Sequence, residues 1–247
     1  MNETIKLIQD HRSIRSYLDK DISEEVLDQI LKSAQAMPTS INSQQTSIIV
    51  VRDKEKKKKL AHLAGDQKWI EDSSVFLIFV MDFYKTNLAG EKTGNPQVIH
   101  ESMEGTLAGS FDAGIAMGGT IIAAESLGIG IVPIGGIRQS PDEVIELLEL
   151  PKYTFPVVGL ALGYPSDTSK QKPRMPFETF KHNEKYNTEI LKPAIDKYDI
   201  EMAAYLKEIG REAQEGNWSI LTSNIYKSVY FPKVYGSIKT QGFKNDK

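Results

Sequence analysis

Proline at one end and glycine at the other bracket a predicted helix of roughly 30 residues, Pro96 to Gly128. Its interior is crowded with Ala113, Gly114, Ala116, Gly118, Gly119, Ala123 and Ala124. Each glycine costs ~1 kcal/mol of helix propensity, so the small residues make sense where a second backbone approaches closely. This is the signature of a central, densely packed helix. Its apolar part, Leu107 to Ala124, is broken by Asp112 and by small and hydroxyl residues, which argues against insertion into a bilayer. The longest uninterrupted apolar run, Val75 to Met81, is too short to span one. With Ser74 it reads as a strand buried on both faces.

The remaining elements alternate around these two. Thr4 to Asp10 is a short helix candidate, followed by a helix that Ser23 caps, with Val26, Leu27, Ile30, Leu31 and Ala34 in helical period and an Ile22–Leu27 staple. Thr46 to Arg52 is a strand, and Asp53 caps a helix whose exposed face is Lys54 and Lys56 to Lys59. Ile129 to Ile134 and Phe155 to Leu162 are further strands. Between them Ser140-Pro141-Asp142-Glu143 forms a capping box, with proline at the first helical position of a helix to Leu150. Helices are expected over 188–211 and 217–230. The reading is one α+β domain, residues 1–247, with a core over about 1–176 and a helical extension over about 177–247.

The 247 residues are 40% hydrophobic and 26% charged, with a net charge of −3, which excludes a mainly disordered chain and gives no general drive towards nucleic acid or membrane. The amino terminus lacks a secretory pattern, so the chain is expected in the cytoplasm. With no cysteine and four well-separated histidines, thiolate chemistry and a metal site are both excluded as expectations. Redox chemistry, if present, must come from a borrowed group. Gly128-Ile129-Gly130 lacks the third glycine of a dinucleotide fingerprint.

Several segments can carry chemistry. His11-Arg12-Ser13-Ile14-Arg15 concentrates two guanidiniums, a hydroxyl and an imidazole, suited to an oxyanion or equally to a solvated basic turn. Lys172-Pro173-Arg174 is a second basic pair, and the two clusters can close around one phosphate or remain surface. Pro133-Ile134-Gly135-Gly136 follows a buried strand and offers either backbone N–H groups to a flat ligand or a plain turn. Thr39-Ser40-Ile41-Asn42-Ser43-Gln44 is a hydroxyl-rich loop that can line a pocket, and Gly65-Asp66-Gln67 adds a neutral amide.

The order of HRSIRSY, TSINSQ, GDQ, IAAESLGIG, PIGGIR, LALGYP and KPR resembles the nitroreductase superfamily, in its NADPH-dependent nitroreductase and flavin reductase branch. The resemblance implies an α+β core with a mainly antiparallel sheet flanked by helices, a C-terminal helical extension and an intertwined homodimer with FMN at the subunit interface. It implies that His11, Arg12 and Ser13 hold the phosphate and ribityl chain, completed by Lys172 and Arg174. Arg15 would face the N1/O2 side of the flavin, and Gln67 its pyrimidine edge. Ser40, with Thr39 and Gln44, would come from the partner. Ile134, Gly135 and Gly136 would offer N–H groups towards O4 and N5, next to Pro133, where relatives often carry an aromatic. The arginine expected after Tyr205-Leu206 for the NADPH 2′-phosphate is absent, leaving Lys207 or Arg211 as substitutes. The activity implied is ping-pong reduction of nitroaromatics, quinones or free flavin by NADPH or NADH. A non-enzymatic flavin-sequestering module of the same fold, and a phosphate- or nucleotide-binding protein without flavin, are the alternatives.

Overall fold

The computed structural model describes residues 1–167 and 169–246, the side chains of residues 212 and 213 excepted. They form two compact units: residues 1–169 with 231–247, and residues 170–230.

The first unit is built on a four-stranded antiparallel sheet of β1 (Thr46–Val51), β2 (Val75–Asp82), β3 (Gly130–Ile134) and β4 (Thr154–Gly163), in the order β1-β2-β4-β3. Before and between the strands run α1 (Glu3–Gln9), α2 (Glu24–Gln35), α3 (Lys54–Leu63), α4 (Lys68–Asp72), α5 (Tyr84–Thr93), α6 (Met103–Ser126) and α7 (Pro141–Leu147). All eight residues of β2 are buried. Side chains alternate along a strand, so β2 feeds two cores at once. Val75, Leu77 and Phe79 join Leu27 and Ile30 of α2 and Ala113 and Ala124 of α6 on one face. Phe76, Ile78 and Val80 join Leu60 of α3, Ile70 of α4 and Val144 of α7 on the other. The mainly antiparallel sheet between helical layers is therefore as the resemblance implies.

Local signals held where the cap itself decides the start. Ser23 Oγ accepts from Val26 N (3.3 Å) and Asp53 Oδ1 from Lys56 N (2.7 Å). Ile22 and Leu27 are both buried, as a staple requires.

Three expectations are corrected. The central helix starts at Met103, not Pro96: α5 ends at Gly94, a 3-10 turn fills Ile99–Glu101, and Ser102 Oγ caps the helix from Gly105 N (3.1 Å). Pro96 sits in the connecting loop. Ser140 makes no side-chain cap bond, so the capping box does not form, although Pro141 does occupy the first turn; the helix ends at Leu147 rather than Leu150. Lys57 is not on the solvated face with Lys54, Lys56, Lys58 and Lys59. It lies three and four residues before Leu60 and Ala61 on the inner face, is 5% exposed, and donates its ammonium to the Ser73 carbonyl. Burial pushes its pKa below the ordinary lysine value, with Lys54 adding to the effect.

The second unit holds α8 (Leu191–Glu208), α9 (Glu212–Glu215) and α10 (Trp218–Tyr226); α8 and α10 are shorter than their predicted spans, and α9 falls between those spans, where no helix was expected. Tyr198, Met202 and Leu206 recur every four residues on one face of α8 and pack with Met175 and Trp218. The chain then rejoins the first unit with α11 (Val234–Thr240), which no sequence signal announced. Ile238 and Phe243 close a small core with Met81, Phe83 and Phe155.

α6 is long and apolar enough to cross a bilayer by those measures alone. Its inner face packs on the sheet instead, and its Asp112 is 1% exposed.

Candidate functional site

The His11–Ser16 segment leaves α1 and lies against the free edge of β3. Ser13 bridges Ile131, Ile14 N donates to Ile131 O (2.9 Å), and Leu18 N donates to Tyr164 O (2.8 Å). Gly130 makes this approach possible, because a Cβ there would sit 2.8 Å from Ile14 Cβ. The second glycine of Gly128-Ile129-Gly130 thus serves chain packing. The first, with φ +73°, ends α6 by bonds from Gly128 N to Glu125 O and from Ile129 N to Ala124 O (both 3.0 Å). At that helix end, Glu125 Oε1 lies 2.5 Å from His11 Nδ1. Arg12 Nη2 is 3.3 Å from Asp10 Oδ1, while its Nε is buried without a hydrogen-bond partner.

A second set of predicted residues gathers after the other end of β3. Gly136 is pressed onto the turn that carries Gln67: a Cβ there would lie 2.4 Å from both Gln67 Nε2 and Ala64 O. Gln67 Nε2 donates to Ala64 O (2.7 Å), which leaves the carbonyl half of the amide outside that bond. Two residues on, Trp69 carries the Arg15 guanidinium at 5.6 Å from its ring centroid. Gly135 faces more open ground, the nearest atom to its missing Cβ being Arg138 Nη2 at 3.6 Å. Arg138 donates to Val157 O and stands 5.6 Å from the Phe231 ring. Ile134 is buried at the end of β3. Pro133 is exposed in that strand and tolerated there because β3 lies at the sheet edge.

The Thr39–Gln44 loop is elsewhere. It precedes β1, the opposite edge strand, three strand spacings or ~14 Å from β3. Ser40 N donates to both Asp112 carboxylate oxygens (3.1 and 3.2 Å), and Gln44 N to Thr39 Oγ1 (3.2 Å). Ile41, Asn42 and Gln44 take positive φ of 47°, 57° and 53°. Ile41 is β-branched and 95% exposed, so this conformation is strained and gains nothing from burial. Thr39, Gln44 and Asp112 line a cavity of about 340 Å³ with Met37 and Ile48.

The remaining basic candidates belong to the second unit. Tyr198 Oη donates to Pro173 O (2.8 Å), which anchors the Lys172-Pro173-Arg174 loop on α8. Burial raises the Tyr198 pKa above the ordinary phenol value, and nearby Arg174 opposes the rise. Lys207 lies in the last turn of α8, and Arg211 is paired with Glu215.

These residues fit a flavin mononucleotide. An unpartnered, buried Arg12 Nε suits an oxyanion, Arg15 brings a fixed cation to the Gln67 turn, and Gly135 leaves room above its backbone. Sequence reasoning missed Trp69, two residues past the Gln67 it had singled out. It also missed Asp112, seen there only as a break in an apolar stretch, and Glu125 and Arg138, which stand inside quoted motifs without a role.

The family model described as "Nitroreductase family" matches residues 8–164, and that of the nitroreductase family C-terminal domain matches residues 172–246. The "FMN reductase [NAD(P)H]" of Bacillus subtilis is 46% identical over the full length of both chains. The "NADPH-flavin oxidoreductase" of Vibrio harveyi is 36% identical over 89% of each. Among solved structures, B. megaterium NfrA2 superposes with a TM-score of 0.97 at 52% identity, covering all of both chains. The V. harveyi NADPH:FMN oxidoreductase complexed with NAD+ gives 0.88 at 33% identity, covering 98% of this chain and 99% of that one. With both family models matched in chain order and full-length relatives this close, the chain belongs to the nitroreductase family.

Proposed function

We propose that this chain is an FMN-dependent NAD(P)H oxidoreductase that reduces nitroaromatics, quinones or free flavin by two electrons in ping-pong turnover. The observation that carries the reading is the cluster of Arg15, Trp69, Gln67 and the Gly135–Gly136 turn, together with the orphaned Nε of Arg12, three residues before Arg15. When bound, FMN supplies the hydride chemistry at its N5. The chain's own groups bind and bias it. His11, Arg12 and Ser13 hold the phosphate and ribityl chain by charge-assisted hydrogen bonds. Gln67 reads the pyrimidine edge, and Pro133, Ile134, Gly135 and Gly136 form the wall at O4 and N5. Arg15 fixes positive charge at the N1/O2 side, where electron uptake places negative charge.

The working form is a homodimer. Along α6, Leu107 and Phe111 are 58% and 69% exposed, and nothing lies within 4 Å of the missing Cβ atoms of Gly114 and Gly118. An apolar stripe with two such notches suits close packing of the same helix from a second copy. The partner's Thr39-Ser40 loop, with Gln44, then completes each site, which gives its strained backbone a use. Lys207 and Arg211 are the candidates for the NADPH 2′-phosphate. Because Arg211 is already paired with Glu215, we read both NADPH and NADH as donors. We place the enzyme in the cytoplasm, acting on small molecules and not on nucleic acid or membrane. The whole chain acts as one FMN-binding module.

Anaerobic titration tests this reading. The purified protein should be yellow, and its flavin band should bleach on addition of NADPH or NADH and recover with a quinone. Bound FMN that stays oxidised would overturn the enzymatic reading in favour of a sequestering module. A colourless protein that takes up no FMN would overturn the flavin reading.

A further inference from the structure

Glu125 stands where a carboxylate is least expected. It occupies the last turn of the 24-residue α6, at the negative end of the helix dipole, with no basic residue in that turn. Its side chain is 13% exposed, so solvent screens it little. It also sits beside His11 and Arg12, the groups assigned above to an anionic phosphate, which it would repel. What holds it there is His11, 25% exposed, whose Nδ1 is 2.5 Å from Glu125 Oε1 across 114 residues of sequence.

The chemistry of that contact fixes more than a position. An ionised carboxylate only accepts hydrogen bonds, so Nδ1 carries the proton. If the imidazole is neutral, Nε2 is then a bare acceptor and has nothing to offer a phosphate oxygen. Both ring nitrogens donate only in the imidazolium. A His11 held this way can serve a phosphate when protonated and not otherwise.

We propose that Glu125 is a positioning residue that locks the proton on His11 Nδ1, so that His11 grips the flavin phosphate only as an imidazolium and FMN is released more readily as pH rises. This rests on the flavin reading above and adds to it a residue and a pH response. The charged groups around the pair are few. The hollow beside it is lined by Met1, which carries the α-amino group, by Glu3, Lys6, Asp10 and Arg12 from the amino-terminal segment and by Glu125 from α6; the β3 side contributes no titratable side chain there. Lys6 is paired with Glu3 at 2.7 Å and Arg12 with Asp10 at 3.3 Å, so Glu125 is the carboxylate assigned to His11.

The test is the FMN dissociation constant, read by flavin fluorescence between about pH 6 and pH 9, for wild type and Glu125→Gln. The second ionisation of the phosphate, near about pH 6, is shared and cancels in their ratio. Wild-type affinity should fall about tenfold or more from the low end of that range to the high end, the loss of one charge-assisted hydrogen bond. In Glu125→Gln the amide can donate to Nδ1, Nε2–H stays a donor, and the profile should flatten. Riboflavin, which lacks the phosphate, should show no slope with either protein. Should Glu125→Gln fail to fold, His11→Asn should give the same flat profile. Nitrogen NMR of His11 in the wild type reads the tautomer directly, with or without flavin. Parallel profiles for wild type and variant, or a neutral His11 protonated on Nε2, would overturn the role of Glu125 while leaving the flavin reading intact. A wild-type protein that binds no FMN at any pH would overturn both.

Discussion

The two long sides of α6 contrast sharply although both carry glycines. On the inward side, a Cβ at Gly109 would lie 2.4 Å from Met81 Cγ and 2.9 Å from Phe83 Cε2, and one at Gly105 would lie 2.2 Å from Ile99 O. On the outward side Gly114 and Gly118 meet nothing within 4 Å, and Leu107 and Phe111 project into open space. Glycine is equally costly to a helix on both sides. The inward glycines are explained within one chain and the outward ones are not, which is the physical basis for placing a second copy on that side.

The largest effect is expected where the helix is already full. Gly109→Leu forces a side chain into Met81 and Phe83, and overpacking of this kind costs about 1–3 kcal/mol or more. In a chain of this size that lowers Tm by about 2–4 °C per kcal/mol, readable by thermal unfolding. On the open side, Gly114→Leu should leave the fold of each chain intact and disrupt the dimer. Sedimentation should show the dimer dissociation constant raised by about thirtyfold or more, as expected for an interface hot spot worth about 2 kcal/mol. The smallest change is the sharpest in sign. Gly114→Ala should gain ~1 kcal/mol of helix propensity if the side faces water. If a partner's backbone occupies the notch, the added methyl should instead weaken dimerisation. Weakening is expected, and a dimer that becomes tighter would show that the outward glycines do not meet a partner's backbone.

The same contrast explains what the sequence made legible. β2 could be read because seven consecutive apolar residues, Val75 to Met81, are their own evidence of two covered faces. Ser23 and Asp53 could be read because a cap bond spans three residues. The start of α6 was misplaced because Pro96 is a local signal, overridden by the turn at Ile99–Glu101 and the cap at Ser102. The burial of Lys57 depends on a carbonyl sixteen residues away, although its spacing to Leu60 and Ala61 was a usable hint. The binding segments were visible as a resemblance, motif by motif, but their mutual supports were not. Glu125 was quoted inside IAAESLGIG without a role because its partner, His11, is distant in sequence. The strain at Ile41 is a matter of backbone angle that residue type argued against.

We propose that each site is assembled from two chains, with the Arg15 cluster from one and the Ser40 loop from the other. Subunit mixing addresses it most directly. Arg15→Ala and Ser40→Glu chains, each of low activity alone, are dissociated, mixed and reassembled, and NADPH oxidation with a quinone acceptor is measured. In a mixed dimer one site carries both substitutions and the other carries neither. Activity should rise on mixing well above the sum of the two parents. Activity that stays at that sum, in a preparation shown to contain mixed dimers, would contradict it.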